Sequence, residues 1–372
     1  MRIVVAPNAM KGSLDAFDFA DAIECGLRKA HLNHIVKIPV ADGGDGTAKI
    51  LSALSNSHFV HSLVCDPLNR PIESGFYIDN NHTAFIEMAD ASGLKLLQKN
   101  EYSPLHSTSY GTGQLIKHAI EIGARKIILC LGGSATVDAG TGALMALGTK
   151  FYNNKNKLIE QGCGNTLDQI DKIDSSETTS LLKNIDIEII ADVENLISGA
   201  NGAAKTFAPQ KGANPNEVIQ LENKIKTFVS VLSAHSKTHA QNITGGGAAG
   251  GFAATFAALL NIRINHGANY ILRQTGFFEA TKKADAIITG EGIIDESTLF
   301  GKAPGTILNF GELANIPVYA ICGSNLLQTP NKFEKVFALT AIEKNPQTAM
   351  NKAYELTVIQ AKKLGKYINT KQ

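Results

Sequence analysis

Four short segments of this sequence join glycine to carboxylate, amine or hydroxyl side chains. They are Pro7-Asn8-Ala9-Met10-Lys11-Gly12-Ser13, Ala41-Asp42-Gly43-Gly44-Asp45-Gly46-Thr47, Leu131-Gly132-Gly133-Ser134-Ala135-Thr136-Val137-Asp138 and Thr289-Gly290-Glu291-Gly292-Ile293-Ile294-Asp295. Glycine lets backbone N–H groups approach a ligand closely, helix N-termini and successive amides attract phosphate, and a neighbouring Asp or Glu can hold a Mg²⁺ that bridges phosphates. Phosphoryl transfer needs that combination. Any one segment also suits an ordinary turn or helix cap: Lys11 a solvated turn, Ser13 the cap of a helix starting at Leu14. The four together weigh more than each alone. Asp192 ends the apolar run Ile189-Ile190-Ala191, a place that suits a turn residue or a catalytic base.

Several common signatures are missing. Gly301-Lys302 is followed by Ala303 and has Glu296 at the leading position, so no P-loop is present. The protein-kinase sets are absent, and Gly132-Gly133-Ser134-Ala135-Thr136 fails the nucleophile elbow at its last position. Gly245-Gly246-Gly247-Ala248-Ala249-Gly250 matches G-x-G-x-x-G, but no strand precedes it and no acid follows about twenty residues on. A glycine-rich start to a buried helix and an anion-binding helix N-terminus both suit it. His235 and His239 are spaced i, i+4 without the Glu of a zinc protease, which leaves a solvated helix face.

The elements that must position these residues follow from periodicity. Arg2 to Pro7 is a β-branched run, Leu14 to Leu27 carries Phe19, Ile23 and Leu27 at helical spacing, and His34 to Val40 reads as a second strand. This is a βαβ unit and implies a parallel sheet. Thr47 to Leu54 reads as a helix, and Gly75 to Ile78 and Thr83 to Met88 flank Asp79-Asn80-Asn81 as a hairpin. Strands at 126–131 and 185–191 and helices at 114–122, 141–147 and 218–232 suggest a second layered α/β structure. Short buried strands return at 284–289, 318–322 and 335–340, before a terminal helix over 351–365. The expectation is an α/β protein of two domains. A Rossmann/flavodoxin-like parallel-sheet domain is built from residues 1–64 and 266–372, an α/β domain over 65–265 is inserted, and the active site lies in the cleft between them.

Composition agrees. At roughly 150 residues per domain, 372 residues suggest about two and a half. With 44% hydrophobic and 19% charged residues the chain can bury sizeable cores. Thirty-five basic against thirty-four acidic residues leave +1, no field to attract nucleic acid or an anionic membrane. The longest apolar stretch, 248–260, is short of the roughly 20 residues a bilayer span needs, and Ile3 to Ala6 is too short for a signal-peptide core and reads as a first strand. Five scattered cysteines without C-x-x-C fit a reducing cytoplasm.

The ordered segments resemble the type 1 glycerate kinase family from end to end. The resemblance also includes 108–116, Pro209-Gln210-Lys211-Gly212-Ala213, Gly247-Ala248-Ala249-Gly250-Gly251 and Gly301-Lys302-Ala303-Pro304. Departures are mild: Asn8-Ala9-Met10 stands where the family usually has Asp-Ser-Phe, Asp45 where Glu is frequent, and Asp192-Val193-Glu194-Asn195-Leu196 lacks the family's proline. The resemblance implies ATP- and Mg²⁺-dependent phosphorylation of D-glycerate on the 2-hydroxyl, an organic acid phosphorylation of glycerate and glyoxylate metabolism. It also implies two α/β domains around a cleft. On that reading Lys11 clamps the substrate and Asp192 is the base, with Lys11, Ser13, Asp42 and Lys302 binding glycerate. Asp42, Glu291 and Asp295 are the metal candidates, while Gly132, Gly133, Ser134, Gly247, Gly250 and Gly251 meet the nucleotide. No nucleic-acid or membrane partner is expected, and the chain would act as a monomer or homodimer. A nicotinamide-dependent oxidoreductase and a two-lobed small-molecule sensor are the rival readings.

Overall fold

The computed structural model describes residues 1–299, 301–327 and 332–371. The chain divides into two compact units, Met1–Asp42 with Gly267–Gln372, and Gly43–His266.

The first unit is built on five strands in the order Lys335–Ala338, Val318–Asn325, Ala286–Ile294, Arg2–Pro7, His34–Lys37. All four pairings are parallel. Numbered along the chain this is the 2-1-3-4-5 order of flavodoxin-like sheets. The two chain ends do share one sheet, since Ile3 to Pro7 pair with Ala286 to Gly290. Ile3, Val4 and Val5 are wholly buried, as expected for a strand covered on both faces. The helix Ala16–Arg28 buries Phe19, Ile23 and Leu27 on the sheet and on the terminal helix Ala353–Thr370. Its cap is Asp15, whose carboxylate accepts from the Asp18 amide at 2.8 Å. Ser13, for which a cap was the alternative to a binding role, lies outside the helix.

The second unit holds a six-stranded sheet ordered Arg263–His266, Asp186–Ala191, Lys126–Cys130, Thr83–Glu87, Pro71–Asp79, Ser57–Cys65. The first four strands run parallel and the last two add antiparallel. The hairpin at 79–83 is present, with Asp79 Oδ1 accepting from the amides of Asn81 and Thr83 at 2.9 Å. One strand escapes the sequence pattern. Ser57–Cys65 pairs with Pro71–Asp79 along its whole length, so residues 43–64 belong with the inserted unit instead of the domain at the chain ends. The first crossing therefore falls at 42/43 in place of 64/65, and the second at 266/267.

The glycine-rich segment at 289–295 also differs from expectation. The strand runs on to Ile294, pairing Gly290 with Ile321, Glu291 with Cys322 and Ile293 with Ser324. Glu291 thus sits on a strand and not in a turn. Among the described residues no helix is long and apolar enough to cross a membrane.

Candidate active site

In the first unit, chemistry gathers at the carboxyl ends of Arg2–Pro7 and Ala286–Ile294. This is where strand order reverses and where α/β sheets open a crevice for ligands. Asn8 follows Pro7 directly, and its amide donates to Gly290 O at 2.8 Å. Its side chain makes two hydrogen bonds: Nδ2 donates to Asp42 Oδ2 at 3.1 Å, while Oδ1 accepts from the Ala9 amide at 2.8 Å. Both Asn8 and Asp42 are buried.

Glu291 is buried across the same edge. Its Oε1 accepts from Thr298 Oγ1 at 2.7 Å, and Lys302 Nζ stands 3.7 Å from Oε2. Burial pushes the Glu291 carboxyl up, against the Thr298 hydrogen bond and the Lys302 charge, and the negative charges of Asp42 and Asp295 push the same way. Asp295 is committed locally. Its Oδ1 accepts from Ser297 Oγ at 2.5 Å and from the amides of Ser297 and Thr298 at 2.9 and 3.3 Å. The Ser297 hydroxyl, helped by Lys302, holds that carboxyl below its ordinary range. Lys302 precedes the helix Ala303–Ala314. Lys11 is exposed on the loop, and Ser13 Oγ donates to Met350 O at 2.9 Å. Lys11, Ser13, Asp42, Glu291, Asp295 and Lys302 therefore all fall in the first unit.

In the second unit, Gly132, Gly133 and Ser134 follow the strand Lys126–Cys130 almost at once. Gly133 has φ +63°, and a Cβ there would lie 2.5 Å from Asp45 Oδ1, so any other residue would be strained and would have to displace the Asp45 carboxylate. That Asp45 oxygen is buried without a hydrogen-bond partner among the described residues. Ser134 Oγ accepts from Lys211 Nζ at 2.8 Å, and Thr136 O accepts from the same amine at 2.7 Å. Lys211 is 3% exposed. Burial pushes its amine down to about 7, with the Asp138 charge opposing. Asp138 in turn accepts from the Ser109 hydroxyl at 2.6 Å and from the amides of Ser109, Gly140 and Gly142. Asp192 follows Ala191 at the carboxyl end of its strand and is exposed. Next to it, Glu194 Oε1 pairs with His266 Nε2 at 3.0 Å.

The Gly247 to Gly251 segment is placed differently from an open phosphate turn. It is buried, with Ala249, Gly250 and Gly251 all at positive φ before the regular helix. A Cβ on Gly250 would lie 2.3 Å from Thr136 O, so the turn packs backbone to backbone on the 136–139 segment. The amides of Gly247 and Gly251 already donate to Asn195 O and Gly247 O. The packing alternative describes these glycines.

Glu87 was not singled out from sequence. It ends the strand Thr83–Glu87 beside Lys126–Cys130, is 7% exposed, and accepts from the Ala48 amide at 3.0 Å. Burial pushes its carboxyl up to about 7, with Asp90 adding and Lys95 opposing. The Lys95 ammonium is itself 2.5 Å from Asp90. The available signal was a carboxylate closing an apolar strand, as at Asp192. Since the folded state binds more protons than the unfolded one between about 4.5 and 7, this group costs stability as pH rises through that window. Glu87→Gln keeps an acceptor for Ala48. It should raise stability at pH 8 by roughly 2–3 kcal/mol while changing little at pH 4.5. Denaturant melts at the two pH values check this, and equal shifts at both would contradict it.

Among the described residues no group of three or more His, Cys, Asp or Glu side chains is arranged to hold a metal ion.

Known proteins resemble this chain over nearly its whole length. A chain from Bacillus cereus named glycerate kinase is 39% identical over 96% of this chain and 94% of its own length. One from Escherichia coli named glycerate 2-kinase is 37% identical over 87% and 85%. A crystal structure described as a putative glycerate kinase 2 from Salmonella typhimurium superposes with a TM-score of 0.82 at 33% identity, covering 100% of this chain and 99% of that one. The family model described as the Glycerate kinase family matches residues 3–369, and the chain belongs to that family.

Proposed function

We propose that this kinase transfers the γ-phosphoryl group of ATP to the 2-hydroxyl of D-glycerate, giving 2-phosphoglycerate, and that it does so in the cytoplasm as a monomer or homodimer. The observation that carries this reading is family membership over residues 3–369, joined to acidic and basic side chains at the carboxyl ends of parallel strands. The relative named glycerate 2-kinase supports the choice of hydroxyl.

Asp192 takes the proton of the attacking hydroxyl. An exposed carboxylate at a strand end can reach a substrate without disturbing a core. Lys11 and Lys302 hold the glycerate carboxylate, with Ser13 and Asp42 beside them. Ser13 offers only its oxygen lone pairs, its proton being donated to Met350 O. Gly132, Gly133 and Ser134 present backbone amides to phosphate, in a loop that Lys211 holds from beneath through Ser134 and Thr136.

The family's reaction implies Mg²⁺, which when bound neutralises phosphate charge. Mg²⁺ takes one or two carboxylates and completes its shell with phosphates and water, so a three-residue cage is not required. Asp42 and Glu291 suit that demand, being hard oxygen donors buried within electrostatic reach of one another. Asp295 suits it less, because one carboxylate oxygen already accepts three hydrogen bonds.

Purified protein given ATP and Mg²⁺ should release ADP only when D-glycerate is added. A folded protein that binds glycerate yet releases no ADP would overturn the kinase reading in favour of a sensor.

A further inference from the structure

The first unit contains a pocket of about 190 Å³ at the carboxyl ends of the strands Ala286–Ile294, Val318–Asn325 and Lys335–Ala338. Its walls include Met10, Ile293, Leu339, Ala349 and Met350, and its lining also includes Lys11 and Ser13. Met10 and Leu339 are buried, but Ile293 and Met350 remain 49% and 40% exposed. Two large apolar side chains left open around a concavity, at the ligand-binding end of a parallel sheet, mark a binding surface.

Glycerate is a poor occupant for such walls. A three-carbon acid with a carboxylate and two hydroxyls would lose hydration there without enough partners. The volume is also below the ~300–1,000 Å³ of sites that enclose a whole drug-sized ligand, which fits one fragment of a larger molecule. Among the reactants of an ATP-dependent glycerate kinase, only the purine base has broad apolar faces and no charge. Met10 and Met350 have the flexible, polarisable side chains that pack well on an aromatic ring. Lys11, an exposed cation, lines the same pocket. We infer that this pocket of the first unit binds the adenine base of the nucleotide. The inference rests on the ATP-dependent reading above and adds where the base sits and which side chains select it.

Ala349→Phe would fill the pocket, and Ile293→Asn would make one exposed wall polar. The test measures KM for ATP and for D-glycerate in both variants, together with inhibition by adenosine, which carries the base but no phosphate. In the wild type adenosine should compete with ATP and not with glycerate. In Ala349→Phe the KM for ATP should rise at least ten-fold, with KM for glycerate within about two-fold and adenosine inhibition lost; Ile293→Asn should shift the same constants more weakly. Folded variants with unchanged KM for ATP, or with KM for glycerate raised instead, would overturn the inference. If the wild type releases no ADP, the kinase reading fails separately. Calorimetric titration of adenosine into wild type and Ala349→Phe then still decides the pocket: binding lost in the variant supports it, and equal binding or none in the wild type overturns it.

Discussion

Asp192→Asn should lower kcat by about 10²–10⁴-fold while leaving the protein folded. Asparagine matches the shape of aspartate but cannot accept a proton from an attacking hydroxyl. Asp192 is exposed at the end of the strand Asp186–Ala191, so the substitution touches no core packing. The loss should appear in kcat and in kcat/KM alike, with KM for glycerate changing little, because the interaction removed is made in the transition state. Near-normal turnover in a folded variant would remove Asp192 from the catalytic residues. A raised KM with unchanged kcat would make it a binding residue instead.

Lys211→Met should slow turnover by roughly ten- to a hundred-fold and also erase a pH dependence of stability. The amine joins Ser134 Oγ and Thr136 O beneath the Gly132 to Ser134 loop. Without it both acceptors lose a buried donor, at about 1–3 kcal/mol, and the loop loses its anchor. The pH effect has a definite sign. The amine titrates near 7 when folded and near its ordinary 10.5 when unfolded, so the unfolded chain binds more protons between those values. Stability of the wild type therefore rises with pH across that window, by on the order of 4 kcal/mol, and the gain is lost as pH falls toward 7. Lys211→Met should show a flatter profile. Denaturant melts of both proteins at pH 7 and pH 9, beside steady-state kinetics, test the two halves together. Parallel pH profiles would mean that Lys211 keeps its charge when buried, and unimpaired turnover would mean that the loop needs no anchor.

What the sequence disclosed of the fold was mostly what burial imposes on pattern. Ile3 to Ala6 and Ile287 to Ile288 are apolar without alternation because their sheet is covered on both sides, and that texture linked the chain ends before any pairing was known. Ser57–Cys65 carried no such mark. It is an edge strand with His58, Phe59, His61 and Leu63 exposed, and its polar residues interrupt the apolar run that would have announced it. The domain boundary was displaced for that reason alone. Gly290 and Gly292 read locally as a turn, yet pairing with Val318–Asn325 extends the strand through them, since partner hydrogen bonds override a weak local preference.

The site divides in the same way. Lys11, Asp42, Glu291, Lys302 and Asp192 could be proposed as candidates from chemistry and spacing because each stands beside glycine or ends a strand. Lys211 and Glu87 owe their interest to burial, and burial of a lysine at 3% exposure is a property of the three-dimensional packing around it. The Gly247 to Gly251 run shows the opposite limit. Its glycines match an anion-binding fingerprint, yet each is closely packed: a Cβ on Gly250 would meet Thr136 and Val137, one on Gly247 would meet Leu196 O and one on Gly251 would meet Ile197.

Phosphorylation of D-glycerate at its 2-hydroxyl is the reaction we propose for this chain. The most direct test incubates the purified protein with ATP, Mg²⁺ and D-glycerate and resolves the products, so that 2-phosphoglycerate and 3-phosphoglycerate are separately counted against ADP. One 2-phosphoglycerate should form for each ADP, dependent on added Mg²⁺. Formation of 3-phosphoglycerate would keep the kinase and contradict the position of transfer, and ADP without phosphorylated glycerate would contradict the reaction itself.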